Sequence, residues 1–398
     1  MSKCVTVYTQ AYNVENYIEQ CIKSVLSQTF QDFEWILVEN GSTDKTREII
    51  RKYAALDERI KPDYFDVNQD GFTNYYIAEK ADGRYIVKID SDDWIEPEYL
   101  EKLIAPFEDP DVDISICGAV NYEEETGRET PHEYGELDGV YSKSDIEKQF
   151  IEMRSYMGTY WGKMFRREIF CSILPDMKEI GEKLKKGDNF GGDVAFALCY
   201  LGECKKLAFV NERMYHYRIH NNSYATRTIG TNRVFSCLVL RETEHHFLHK
   251  VNAYTEQNVI MVDLLFWQNI EQLFKNIIRA DWDTDQKIKT ISEVCANKDL
   301  QLLRKEAYNS KVRTILMGDI AWCYMNAGNS KYLKNVLMLL EPDIFDSISN
   351  ETYEWMRENQ ILMSYIIMGE FDNAKRYMEE ITTGNNVDYI RELQQRMH

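Results

Sequence analysis

The stretch Tyr85-Ile86-Val87-Lys88-Ile89-Asp90-Ser91-Asp92-Asp93-Trp94 constrains the chain most, because an apolar run there ends in three carboxylates. Tyr85, Ile86, Val87 and Ile89 suit a central strand of an α/β sheet. Glu96 and Pro97 then open a helix carrying Tyr99, Leu100, Leu103 and Ile104 at helical spacing. Carboxylates this close repel one another unless a cation sits among them. Hard divalent ions such as Mg²⁺ or Mn²⁺ take oxygen ligands and share them with substrate phosphates. In open α/β sheets, ligands bind beyond the carboxyl ends of the strands, which is where these aspartates fall. The plain alternative is a solvated acidic turn that caps the next helix.

The flanking sequence repeats the strand-then-helix pattern. Residues 4–8 read as a first strand and 9–13 as the loop at its end, followed by a helix whose apolar face is Val14, Tyr17, Ile18, Cys21, Ile22, Val25 and Leu26. Residues 33–38 read as a second strand ending in Glu39-Asn40-Gly41-Ser42-Thr43-Asp44. There Gly41 permits the turn, and Ser42 or Thr43 can cap the helix bearing Ile49, Ile50 and Tyr53. Residues 60–65 suit a third strand and 73–81 a short helix. Beyond the acidic cluster, 113–120 reads as a strand, 121–141 as a hairpin or excursion and 144–155 as a helix. An aromatic and basic segment, 160–167, precedes a glycine-bearing loop (186–193), a helix (194–201) and a strand (206–210). This alternation implies a mostly parallel sheet in an α/β domain.

With 398 residues the chain exceeds one typical domain, and its texture changes after residue 228. Residues 1–228 form the expected α/β domain and 229–398 an all-α one with a single proline, Pro342. Tyr324-Met325-Asn326-Ala327-Gly328 and Tyr365-Ile366-Ile367-Met368-Gly369 echo each other 41 residues apart, weakly like tetratricopeptide units. Self-association or partner docking is the role expected of that half. A net charge of −19 argues against nucleic acid or an anionic membrane surface as a general partner. No apolar run reaches the length of a transmembrane span, and no signal peptide is visible. Nine scattered cysteines without a C-x-x-C pair fit a reduced, cytoplasmic protein, peripheral to a membrane at most, and give zinc no support.

Tyr12-Asn13, Ser27-Gln28-Thr29-Phe30, Asn40-Gly41-Ser42-Thr43-Asp44 and Asp90-Ser91-Asp92-Asp93, in that order and spacing, resemble the family 2 glycosyltransferases with the GT-A nucleotide-diphospho-sugar fold. The match runs over residues 3–120 and, more loosely, 155–225. The resemblance implies an inverting transfer of a sugar from a nucleotide-sugar donor to a glycan, glycolipid or protein acceptor, as in bacterial surface polysaccharide assembly. It implies that Asp92, as the last residue of the D-x-D, ligates Mn²⁺ or Mg²⁺, with Asp90 at the ribose or at metal-bound water and Ser91 between them. Gln10 and Tyr12 would border the nucleoside, and Glu39 or Asn40 would hydrogen-bond the base edge. Relatives commonly have two aspartates where Glu39 and Asn40 stand, a proline at Gln10 and an arginine at Asn74. A carboxylate accepts from the imide of uracil, so a UDP-sugar is the expected donor.

An inverting transfer needs a base for the acceptor hydroxyl. Family members place an acidic residue at the head of a helix downstream of the D-x-D, which nominates Asp193, with Asp188 as a rival. An ordinary capping aspartate is the structural alternative for Asp193. Asp93, Trp161, Lys163, His216 and His220 are expected on the acceptor side. The opposing functional reading is a catalytically silent scaffold that binds nucleotide-sugar and acts through its helical half.

Overall fold

A computed structural model of the chain describes residues 3–69, 74–132, 137–220 and 230–283 without interruption, and isolated positions between 286 and 303. The chain forms two compact units. The first is Met1–Lys185, Gly191–Arg227 and Glu242–Val259; the second is Lys186–Phe190, Thr228–Arg241 and the chain from Ile260 onward. The echo at 324–328 and 365–369 lies outside the described residues.

The opening elements alternate as expected: β1 (Val5–Ala11), α1 (Ile18–Leu26), β2 (Phe33–Asn40), α2 (Thr46–Ala54), β3 (Ile60–Phe65), α3 (Asn74–Lys80) and β4 (Tyr85–Lys88). Next come β5 (Trp94–Ile95), α4 (Tyr99–Ile104), β6 (Val112–Glu123), β7 (Arg128–Pro131), β8 (Gly139–Ser142) and α5 (Ile146–Ser155). They are followed by β9 (Lys163–Arg166), α6 (Arg167–Ser172), α7 (Leu174–Leu184), α8 (Gly192–Glu203) and β10 (Lys206–Ile219). Two long helices, α9 (Arg233–Lys250) and α10 (Glu256–Arg279), come after them. Among the described residues no helix is long and apolar enough to cross a membrane.

The sheet runs β3-β2-β1-β4-β9-β6-β10-β5, with β7 beside β6 and β8 beside β10. β3, β2, β1 and β4 are parallel, as the alternation requires. β9 enters antiparallel between β4 and β6, and β6 and β10 are parallel again. Alternate residues of each strand point to opposite faces. Val5, Val7, Phe33, Trp35, Leu37, Tyr85, Val87 and Ile89 therefore share one face, where Ile18, Cys21, Ile22 and Val25 of α1 and Tyr99, Leu100 and Leu103 of α4 close the core. Burying each such large side chain contributes about 1.5–3 kcal/mol.

The other face carries Tyr8, Ile86, Lys88 and Phe165. The ring of Phe165 meets Phe170 of α6 and Phe196 and Tyr200 of α8 at 6.3, 5.4 and 5.0 Å between centroids. α8 is buried nearly all round, which explains its continuously apolar sequence. The buried carboxylate of Glu34 is satisfied by the Thr6 hydroxyl (2.7 Å) and the Asp82 amide (2.9 Å). Gly83 donates to Thr6 Oγ1 at 2.8 Å, and a side chain there would collide with the Thr6 backbone.

Three features depart from the sequence reading. Residues 163–166 are a strand, hidden in the sequence because Lys163 and Arg166 interrupt so short an apolar run. β10 continues past Val210 to Ile219 through irregular pairing between Val210 and Tyr215. The Thr46 amide of α2 is bonded by Asp44 Oδ1 (3.0 Å) rather than by Ser42 or Thr43. Ser42 Oγ instead accepts from Asn13 N at 3.0 Å, and Asn13 Oδ1 accepts from Thr43 N at 2.9 Å, so the ends of β1 and β2 are tied together.

Candidate active site

The turn after β4 is held from below by β10. Tyr215 Oη accepts the Asp90 amide at 3.0 Å and donates to Asp93 Oδ2 at 2.7 Å. The Arg218 amide donates to Asp93 Oδ1 at 2.8 Å, and its Nε donates to the Asp92 carbonyl at 2.8 Å. Arg218 also lies against the rings of Tyr17, Trp94 and Tyr122, and pairs with Glu124 and Gln20. Such a guanidinium is fixed by packing as well as by charge.

The three aspartates consequently do different things. Asp93 is 1% exposed and serves as a strut, not as a group on the acceptor side as the sequence suggested. Burial, then Asp92 and Asp90, push its carboxyl well above the usual range. Asp90 and Asp92 stay partly open, with Ser91 nearly buried between them. Asp90 pairs with Lys88 at 3.3 Å, and Asp92 Oδ2 lies 3.0 Å from His220 Nε2. Burial and then Asp90 push the Asp92 carboxyl up, with His220 opposing them. A solvated acidic turn capping α4 is therefore not what forms: the residue before that helix is Glu98, and its side chain makes no cap bond.

Among the described residues no three His, Cys, Asp or Glu side chains gather into a protein-only metal site. Two carboxylates are nonetheless enough for Mg²⁺ or Mn²⁺ when substrate phosphates complete the shell. Asp90 and Asp92 fit that requirement, since a cation would offset the burial and the Asp90 charge that together raise Asp92.

Asp193 stands in the first turn of α8, after Gly191 takes the left-handed cap conformation (φ 81°). No side chain caps that end, so the capping role weighed for Asp193 is absent. The carboxyl is open to solvent yet enclosed on most sides. Burial raises it most; Lys88 pulls it down, Asp90 pushes it up and Lys163 pulls it down. Asp188, the rival base, is consumed by an ion pair with Arg233 and by a bond from its amide to Ser236 Oγ at 3.1 Å.

Several expected contacts turn inward instead. Glu39 is fully buried, accepting from Ser42 N (2.5 Å) and from Arg47, so it presents no carboxylate to a base edge. Asn40 Nδ2 donates to Asn68 Oδ1 (2.8 Å) and the Gln69 carbonyl (3.2 Å), while its Oδ1 accepts from Gln69 N (2.9 Å). Its amide is spent on holding the segment after β3. Gly41 (φ 75°) lets that segment approach, since a Cβ there would meet the Val67 carbonyl carbon at 2.5 Å. Trp161 is core, stacked on Tyr215 at 4.5 Å and 6°, so it backs the turn and offers no platform. Lys163 is 1% exposed and donates to Thr159 O, Thr159 Oγ1 and Trp161 O at 2.7, 2.8 and 3.2 Å. His216 is buried, stacked on Trp94 at 4.7 Å and bonded to Glu96 at 2.7 Å. Tyr12 is exposed at the end of β1, and Gln10, two residues before it, is half-buried opposite Val38.

Sequence reasoning missed Lys88, which pairs with Asp90, and Tyr215, which fixes the acidic turn. A lysine inside an apolar strand, two residues before Asp90, was the available signal for Lys88. Nothing local marked Tyr215, whose role depends on the irregular pairing of β10.

The profile of "Glycosyl transferase family 2" matches residues 6–174. EpsH of Bacillus subtilis strain 168, a glycosyltransferase candidate, is 30% identical over 305 residues, covering 75% of this chain and 84% of that protein. Glycosyltransferase GlyA of Streptococcus pneumoniae is 29% identical over 227 residues, 55% of this chain, and the match spans only 31% of that longer relative. The crystal structure of S. aureus TarS 1–349 in complex with UDP-GlcNAc superposes with a TM-score of 0.52 at 18% identity, over 84% of this chain and 90% of that one. The fold is the GT-A fold, and with its sequence matches it identifies the chain as a glycosyltransferase, a member of glycosyltransferase family 2.

Proposed function

We propose that the chain transfers a glycosyl group with inversion from a UDP-sugar to a hydroxyl of a glycan, glycolipid or protein acceptor, in the assembly of a bacterial surface polysaccharide. The observation that carries this reading is the division of labour among the carboxylates. Asp90 and Asp92 keep open oxygens at the end of β4, Asp93 is a buried strut, and Asp193 opens to solvent from α8 with Lys88 among its neighbours. The TarS complex with UDP-GlcNAc supports a UDP-sugar as the first donor to test. Tyr12 and Gln10, at the end of β1, border the nucleoside.

Asp92 and Asp90 would hold a divalent ion, Mn²⁺ or Mg²⁺, which would supply Lewis-acid neutralisation of the departing diphosphate. The turn that carries them is kept rigid by Tyr215 and Arg218. Asp193, ionised, takes the acceptor's hydroxyl proton as the oxygen bonds to the anomeric carbon. The bond from that carbon to the diphosphate breaks, and its electron pair leaves with the diphosphate. The seven described cysteines are all free, which fits work in a reducing compartment.

The test is a turnover and binding screen of UDP-, GDP- and dTDP-sugars with Mn²⁺, using wild type, Asp92→Asn and Asp193→Asn. Metal-dependent turnover of a UDP-sugar, lost in both variants, is expected. Unchanged turnover in Asp92→Asn, or no nucleotide binding by wild type, would overturn the reading.

A further inference from the structure

We propose that Lys88 and the Tyr8 hydroxyl form the subsite that grips the transferred sugar of the donor, an assignment that rests on the function proposed above. Tyr8 and Lys88 are direct neighbours across the parallel pair of β1 and β4. Paired residues in register project to the same face, and residue 90 projects with residue 88. That face is the one on which α8 packs, through Phe196 against Phe165 at 5.4 Å. Asp193 precedes Phe196 by three residues, so the same side of α8 carries both.

Lys88 therefore has Asp90 on its donor side at 3.3 Å and Asp193 on its acceptor side, and both carboxylates act on its charge. In a transfer that breaks a bond at the diphosphate and forms one at the acceptor, the group between those two carboxylates faces the sugar in flight. Lys88 is preorganised for it. Its ammonium lies 5.1 Å from the centre of the Tyr160 ring, which stacks on Phe196 at 4.2 Å and anchors its hydroxyl on Asn74 Oδ1 at 2.7 Å. An ammonium has three hydrogens, and the contact to Asp90 uses one. The Tyr8 hydroxyl is the second, independent element. Tyr8 is 2% exposed, and its Oη has no hydrogen-bond partner among the described residues. It lies close enough to Asp63 and Asp90 to feel both carboxylates. A buried hydroxyl without a protein partner is costly, and a hydroxyl of a bound sugar would satisfy it as a water would. The ligand chemistry is a pyranose presenting hydroxyl oxygens, attached to a nucleoside diphosphate.

Calorimetric titration of UDP and of UDP-glucose, UDP-galactose and UDP-N-acetylglucosamine, each with Mn²⁺, separates sugar from nucleotide. The variants are Lys88→Met and Tyr8→Phe, the latter removing one oxygen and leaving the packing intact. Lys88→Met is expected to weaken the tightest-binding UDP-sugar by about 10-fold or more and UDP itself by less than about 2-fold, the span of a charge-assisted hydrogen bond. Tyr8→Phe is expected to weaken the UDP-sugar by about 3–10-fold and leave UDP unchanged. Equal losses for UDP and UDP-sugar would assign these residues to the diphosphate and overturn the proposal, as would unchanged binding in both variants. Should wild type bind neither UDP nor any UDP-sugar, the proposed function itself fails. Wild-type binding of UDP with no further gain from the sugar would sink the subsite alone.

Discussion

Tyr215 donates its phenolic hydrogen to Asp93 Oδ2 over 2.7 Å while the same oxygen accepts the Asp90 amide, so one hydroxyl fixes both ends of the acidic turn. Tyr215→Phe removes both bonds and leaves a fully buried carboxyl short of a donor. A destabilisation of about 1–3 kcal/mol is expected, read as a shift in the denaturant midpoint. Turnover should fall further than donor affinity, because the loosened turn still carries Asp90 and Asp92.

Asp193 sets the second prediction. A general base works only when ionised, so activity is present above its pKa and lost as pH falls through it. Burial, reinforced by Asp90, raises that pKa, so the acid limb of kcat/KM should lie above the ordinary carboxylate value of about 4. Asp193→Asn should abolish the limb and cost about 10²–10⁴-fold in kcat while UDP binding persists. A pH–rate profile of both proteins decides the matter, and an acid limb that survives in the asparagine variant would remove Asp193 from the role.

Lys163 offers a stability signature. Burial pulls its ammonium down to about 7, against attraction from Cys117 and Asp193. The unfolded lysine keeps its proton up to about 10.4, so between these values the unfolded state binds more protons and Lys163's contribution to stability rises with pH. Below about 7 both states are charged and the burial penalty is fully felt. Thermal melts of wild type and Lys163→Met should therefore diverge between pH 7 and 10, with wild type gaining relative to the variant as pH rises. Parallel curves would show that the buried ammonium titrates normally.

Glu39 gives a fourth test, one that separates architecture from recognition. Its carboxylate is committed to Arg47 and to the Ser42 amide. Glu39→Gln should cost about 1.5–3 kcal/mol in stability through the lost charge-assisted bonds. The preference between UDP and GDP should not change, because the side chain does not reach a base. A switched preference in competitive binding would show that Glu39 turns outward when nucleotide arrives.

The parallel half of the sheet was legible because each of its elements states itself locally. Residues 60–65 are a strand as read, and the helix after Pro97 begins within two residues of its expected start. The acidic turn was legible for the same reason: a strand pattern ends where charge begins. Direction of side chains was not. Glu39 and Asn40 sit where ligand-facing groups were expected, yet Arg47 and the 68–69 segment claim them, and both partners are remote in sequence or unremarkable in type. Trp161 and His216 face inward because β9 and the far half of β10 are strands, and neither strand carries an apolar alternation long enough to announce itself.

The irregular pairing in β10 sets the phase of everything after it. Val210 stands opposite Cys117, but Tyr215 stands opposite Ala119, so the strand absorbs three more residues than its partner over that step. An odd excess exchanges the two faces. The first half of the strand is thus read in one frame and the second half in the other, and Tyr215 reaches the acidic turn only in the second. Loss of a single residue between 211 and 213 would touch no group named in the chemistry. It would nevertheless rotate Tyr215 and Tyr217 away and swing their neighbours in, a local frameshift of side chains in an intact backbone.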